Sequence, residues 1–138
     1  MHVNDLENVP ASLARSLGHR FAAAIAARDA AALLAMLDAE VDFRGMTPGR
    51  VWEARSAAAV VDDVILGKWF EPSDVVERVE AVETGMVGDR CRLGYRLRVA
   101  NEGGSFVVEQ QAFYDITGNK ITWLRMLCSG FRPVTSPP

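Results

Sequence analysis

Gln110 and Arg125 are polar residues placed where the sequence calls for a core. Both lie in VEQQAFYDITGNKITWLRM, residues 108 to 126, whose halves read as two β-strands folded back about Gly118-Asn119. A period of two puts Gln110 with Tyr114 and Ile116, and Arg125 with Ile121 and Trp123, on the face that meets a hydrophobic core. A buried amide without a partner costs roughly 2 to 7 kcal/mol, so something must satisfy these groups. Two arrangements would do so. In one, they reach an internal partner such as Glu80, which the same register turns inward, and form a buried structural pair. In the other, they line a pocket and fix the polar end of a mostly apolar ligand. Trp52, Tyr95, Tyr114 and Trp123 would then supply aromatic walls with hydroxyl or indole donors at their edges. The expected ligand set is Trp52, Tyr95, Gln110, Tyr114, Trp123 and Arg125, and acid-base chemistry, if present, falls to Glu80 and Tyr95. A Glu80 held in an apolar cavity with a raised pKa would be a base; a tight pair with Arg125 or Arg78 would make it structural.

The elements that must position these residues divide the chain in two. Ser12 can cap a helix whose apolar residues Leu13, Leu17, Phe21 and Ile25 recur every four positions, and Asp29 can cap a second carrying Leu33, Leu34 and Leu37. EVDFRGMTPGRVWEA alternates around Pro48-Gly49 and reads as two short strands, in which Asp42 and Arg44 form an exposed pair. Ser56 starts a third helix with Val60, Val61, Val64 and Ile65 inward, and Gly67 is placed to stop it. After that, runs at 75–86, 90–100, 105–116 and 120–130, separated by VGD, NEGG and TGN, read as a four-stranded antiparallel meander. In RCRLGYRLRV the arginines at 90, 92, 96 and 98 share the outer face, and Cys91, Leu93, Tyr95, Leu97 and Val99 the inner one. Glu77, Glu83 and Glu109 fall opposite the arginines. On this register Val107, Phe113, Leu124 and Met126 make an apolar outer patch, which back-to-back packing of two sheets in a homodimer would cover.

Composition bounds what such a domain can be. The 138 residues, 49% of them hydrophobic, suffice for a single domain with one core, structured over about residues 12–131. Fifteen basic against 18 acidic residues offer no concentrated basic field, which disfavours nucleic acid and anionic membranes as partners. The longest apolar run, AAALLAML, is too short to span a bilayer, and MHVNDLENVP lacks the features of a leader, so the expected setting is cytoplasmic. Cys91 and Cys128 have no CxxC or His-rich spacing, so the expectation is two reduced thiols and no metal or other cofactor.

Three helices followed by a curved antiparallel sheet make an α+β domain. The order of elements, with RFAAAIAARDAAALLAMLDAEVDFRG at the front and FYDITGNKITWLRM at the back, resembles the nuclear transport factor 2-like cone and within it the SnoaL-like relatives of polyketide cyclases and ketosteroid isomerases. FRGMTPGRVWEA, EQQAFY and CSGFRP resemble a bacterial subgroup of that superfamily. The resemblance implies a pocket between sheet and helices, but not the isomerase chemistry, which needs a carboxylate base and two acidic donors for the enolate oxygen. Those positions fall at Phe43, at Phe21 and near Gln111, and the Asp and His of the cyclase pattern fall near Ala112 and Leu124. Three functions stay open: binding of a small apolar molecule in the pocket; an isomerase, cyclase or lyase acting on a ketone- or polyketide-like substrate with another acid-base set; and a dimeric assembly adaptor.

Overall fold

The computed structural model describes residues 3–134, with side chains from residue 12 onward. Helix α1 (Val3–Ala26) buries Leu17, Phe21 and Ile25, as the four-residue spacing predicts, together with Ala14, Ala22 and Ala24. It begins upstream of Ser12, which therefore lies inside the helix and does not cap it. A residue of capping type is no boundary where the chain before it can continue the ladder. Asp29 does cap α2 (Ala30–Met36): its side chain accepts from the Ala32 N–H at 3.0 Å. Leu37, expected on that helix, is the first residue of the next strand. Between the two helices Arg28 adopts φ 53°, and its guanidinium donates to the carbonyls of Phe70 at 2.9 Å and Leu66 at 3.2 Å. The bend between α1 and α2 is thereby tied to the end of the third helix.

That third helix, α3 (Ala59–Trp69), is wound as a π-helix; the Ser56 side chain accepts from the Ala59 N–H at 3.1 Å ahead of it. Gly67 does not stop it. A methyl at position 67 would lie 2.2 Å from the Asp62 carbonyl oxygen, so glycine is what lets the widened turn close and carry the helix on to Trp69. The inward row then reads Val61, Ile65, Trp69, a spacing of four that ends on an indole.

The strands are β1 (Leu37–Thr47), β2 (Arg50–Ala54), β3 (Val75–Val87), β4 (Arg90–Asn101), β5 (Gly104–Thr117), β6 (Lys120–Cys128) and β7 (Arg132–Pro133). They form one curved, unclosed sheet in the order β2-β1-β6-β5-β4-β3, with β7 on β5; β1 and β6 run parallel and the other pairs antiparallel. The helices cover its inner face, and Phe21, Phe43, Phe70, Leu93, Leu97, Tyr114 and Ile121 are among the buried large side chains. The arginine register holds: Arg96 pairs with Glu109 and Arg90 with Asp115, both at 3.0 Å, while Cys91, Leu93, Tyr95, Leu97 and Val99 are buried.

On β6 the inward row is corrected. Ile116 faces Ile121, but Asp115 faces Trp123, so Thr122 is an extra residue on β6. Such a bulge reverses the phase of everything beyond it. Leu124 and Met126 turn into the core, and Trp123, Arg125 and Leu127 turn to the outer face, the opposite of the alternation expected for both sets. On β3 two more bulges set Glu77 and Glu80 out of register, which carries Glu80 away from its expected inward position and toward the arginines.

Candidate functional site

Two concavities compete for the role of site. The larger, about 420 Å³, lies on the outer face and is lined by Arg44, Met46, Val51, Phe113, Arg125 and Leu127. The smaller, about 320 Å³, opens at the end of the sheet where β1 stops at Thr47, β4 at Asn101 and β6 at Cys128, and where α3 delivers Lys68 and Trp69. Trp52, Glu71, Asp74, Gly130 and Phe131 complete its lining. The polar chemistry of the inner face is concentrated beside this second cleft.

Its aromatic wall is built from strands β1, β2 and β5, helix α3 and the segments that carry Phe70 and Phe131. Trp52 stands edge-on to Trp69 at 6.4 Å, donates its indole N–H to Thr47 Oγ1 at 2.8 Å, and is stacked by the Arg50 guanidinium at 3.5 Å. Trp69 also packs on Phe43 at 5.9 Å, and its six-membered ring lies so close to Gly45 that a methyl there would meet it at 2.6 Å. Phe131 packs between Phe70 at 6.0 Å and Phe106 at 5.6 Å. Asp74, buried although acidic, is held on both oxygens, accepting from Asn101 Nδ2 at 2.9 Å and from the Glu71 N–H at 2.8 Å.

Tyr95, Gln110 and Cys128 form one row across β4, β5 and β6, each directly opposite the next. Cys128 lines the cleft; Gln110, at 1% exposure, and Tyr95 continue the row into the interior. The Tyr95 hydroxyl donates to Gln110 Oε1, and burial, with a smaller contribution from Cys128, pushes its pKa well above that of a free phenol. Tyr95 is therefore a neutral donor. With Oε1 engaged, Gln110 Nε2 finds no partner among the described residues, and neither does Nε1 of Trp69, itself only 6% exposed. Buried donors are paired in the great majority of cases, so two orphans near one cleft are a departure that calls for a reason. Both are N–H groups, and both ask for an acceptor.

The structure separates the residues expected to share a site. Trp52 lines the cleft, and Tyr95 and Gln110 lie in the row that leads from it. Tyr114 is buried away from the cleft, its hydroxyl donating to the Ala14 carbonyl of α1 at 2.7 Å. Trp123 and Arg125 stand on the outer face because of the bulge. There Arg125 reaches the Asp42 carbonyl at 2.9 Å and carboxylate at 3.2 Å, and Trp123 is stacked by both Arg90 at 3.7 Å and Arg125 at 4.3 Å. Asp42 is thus engaged by Arg125 and Arg55, while Arg44 pairs with Glu53, so the expected Asp42–Arg44 pair is replaced by three others. Glu80 pairs with Arg78 at 3.2 Å and Arg98 at 3.3 Å, the arrangement that marks it as structural. Phe21, Phe43, Ala112 and Leu124 are all buried in the core, and Gln111 faces outward over Gly94, within 3.4 Å of Arg92.

Sequence reasoning missed Trp69, Asp74 and Cys128 as lining residues. Trp69 carried a signal, since it continues the Val61, Ile65 spacing, but a stop at Gly67 hides it. Asp74 carried none, because its burial depends on a turn closed from Asn101, which is 27 residues away.

No family model matches the sequence, and no curated protein matches it. Solved structures do match in fold. A candidate isomerase from Bacillus subtilis superposes with a TM-score of 0.67 at 12% identity, covering 89% of this chain and 88% of its own. A candidate polyketide cyclase from Xanthomonas campestris gives 0.65 at 18% identity, over 86% and 91%. An NTF2-like protein from Burkholderia xenovorans gives 0.62 at 18% identity, over 86% and 91%. The helical cover, the curved sheet and these superpositions together give the chain the nuclear transport factor 2-like fold, the one it shares with candidate cyclases and isomerases.

Proposed function

We propose that the protein binds a small, largely apolar molecule in the cleft bounded by Trp52, Trp69 and Phe131, with an oxygen of that molecule accepting hydrogen bonds from Gln110 Nε2 and Trp69 Nε1. One observation carries this reading: of the three buried side-chain N–H donors without partners among the described residues, one, Trp69 Nε1, belongs to a residue lining the cleft and another, Gln110 Nε2, to the residue opposite Cys128 on its wall. A cleft of about 320 Å³ with an aromatic wall of Trp52, Trp69 and Phe131 facing the polar groups of Thr47, Lys68, Glu71, Asp74 and Asn101 is of the size of small-molecule sites. The preferred ligand is a ketone or acid on a hydrocarbon body, because the orphans are donors only. Native mass spectrometry of the purified full chain tests the proposal, followed by titration with benzylacetone and with butylbenzene, which lacks the oxygen. Retention of a small molecule, or clear preference for benzylacetone, supports it; equal indifference to both contradicts it.

A second reading, catalysis on the same ligand by an isomerase, cyclase or lyase, is favoured by Asp74. A buried carboxylate oriented by Asn101 and by the Glu71 N–H at the cleft is the kind of group that moves a proton between carbons. The fold shared with candidate cyclases and isomerases is compatible with it. Deuterium exchange at the α-carbon of bound benzylacetone, faster than in buffer and lost in Asp74→Asn, is the expected signature; no acceleration returns the cleft to binding alone.

The outer groove suits the adaptor or dimer role. Met46, Val51 and Leu127, exposed at 50, 60 and 51%, line it with Phe113 and the mostly buried Met126, while Leu124, expected there, lies in the core. A homodimer through this face is part of the proposal, and a monomer in equilibrium sedimentation at micromolar concentration would refute it. A single cytoplasmic domain is the setting proposed: both cysteines are free, as a reducing compartment allows, and no helix among the described residues is long and apolar enough to cross a membrane.

A further inference from the structure

We propose that Cys128 is a covalent ligation site, adding its sulfur to the β-carbon of an α,β-unsaturated carbonyl compound held in the cleft. This rests on the binding reading above and extends it to a ligand class, the enones. Cys128 is free, half-buried and lines the cleft, whereas Cys91 is buried at 3% exposure in the core. Burial moreover pushes the Cys91 thiol up, which disfavours its thiolate.

The geometry around the sulfur is fixed by the backbone. The Gly130 N–H donates to Cys128 Sγ at 3.4 Å, and Gly130 holds φ 74°, with Pro48 at 3.1 Å from where a methyl would stand. Ser129 locks the same turn by donating to the Gly130 carbonyl at 2.7 Å and accepting from the Glu109 N–H at 2.9 Å. The sulfur is thus aimed by a turn that has little freedom to reorient it.

Gln110 is the second half of the site. It lies directly opposite Cys128, and side chains so placed have Cβ atoms about 4.5 to 5.5 Å apart. A carbonyl oxygen taken by Gln110 Nε2 would therefore leave the conjugated β-carbon, three bonds away along the same planar unit, within reach of the sulfur. The amide and the Trp69 indole would also stabilise the enolate oxygen that forms as sulfur adds. The step balances without an oxidant. An S–C bond forms at the β-carbon, the C=C π pair moves onto the carbonyl oxygen, the thiol proton passes to solvent and a proton from solvent ends on the α-carbon.

Benzylideneacetone is the probe, and its saturated analogue benzylacetone the competitor. The full chain is incubated with the enone, and the adduct is followed by intact mass and located by peptide mapping. The expected result is one adduct, at Cys128, formed about tenfold or more faster than on glutathione at the same pH and suppressed by benzylacetone. Gln110→Leu should slow it about tenfold, as should the paired variant Tyr95→Phe with Gln110→Leu, while labelling by methyl methanethiosulfonate, which needs no carbonyl contact, stays unchanged. Addition no faster than to glutathione, or indifferent to benzylacetone, makes Cys128 an ordinary thiol and overturns the proposal. Benzylacetone bound with no adduct overturns it and leaves the binding reading standing; neither binding nor addition overturns both.

Discussion

Tyr114 and Gln110 lie four residues apart on the inner face of one strand, both almost fully buried, and they differ in how their polar atoms are met. Tyr114 gives its single proton to a carbonyl of α1 and is complete. Gln110 takes a proton from Tyr95 on its oxygen and leaves its nitrogen without a partner. The first is a polar group used as a fastener between helix and sheet. The second is a polar group only half satisfied among the described residues, at a cost to the folded state. On the proposed reading, stability and recognition are allotted to opposite ends of the same interior.

Removing the fastener should produce the largest effect. Tyr114→Ala is expected to lower unfolding free energy by about 3 to 5 kcal/mol, from lost packing and the cavity it leaves. Tyr114→Phe keeps the ring but leaves the Ala14 carbonyl unmet, and should cost about 1 to 3 kcal/mol. Urea denaturation measures both. At the cleft end the contrast sharpens: Tyr95→Phe combined with Gln110→Leu replaces both partners of a half-satisfied pair, so stability should stay within about 1 kcal/mol of wild type, or rise, while benzylacetone binding falls about tenfold or more. A destabilisation equal to that of Tyr114→Phe would erase the distinction.

Alkaline pH acts on both ends. Burial raises the folded-state pKa of Tyr95 and Tyr114 above that of a free phenol, so between the two values the unfolded chain has lost protons the folded chain keeps. The stabilisation from neutral burial is present below about pH 10 and is lost as pH climbs through the raised values. Unfolding midpoints recorded from pH 8 to 11 should fall above about pH 10, and less steeply when either tyrosine is replaced by Phe. The smallest effect belongs to Arg125→Met. Its guanidinium lies on the far side of the sheet, so benzylacetone affinity should be unchanged and stability should drop by about 1 kcal/mol or less.

Which parts were legible in the sequence follows from how each is specified. The arginine row of β4 could be read because hydropathy alternates along it, broken only on the outer row by Gly94, and β5 pairs with it residue for residue. Gln110, Tyr95 and Tyr114 were placed inward on that same register. β6 could not be read past its first residues, because Thr122 enters as an extra residue and nothing in TWLRML distinguishes a bulge from simple alternation. Simple alternation puts Trp123 and Arg125 inside, and the bulge alone puts them outside. Glu80 was misplaced in the same way by the bulges of β3. Trp69 was hidden by Gly67, which is a stop in an α-helix and a necessity in a π-helix.

The three tryptophans give the most direct test, since Trp69 lines the cleft with an unpartnered indole N–H, Trp52 lines it with its N–H already given to Thr47, and Trp123 stands on the outer face. Indole N–H resonances of the full chain, assigned by single Trp→Phe variants, should be followed during titration with benzylacetone. The expected result is a saturable downfield shift of the Trp69 signal, as its proton finds an acceptor, with Trp123 unmoved. A titration that leaves Trp69 in place, or that moves Trp123 alone, would contradict it.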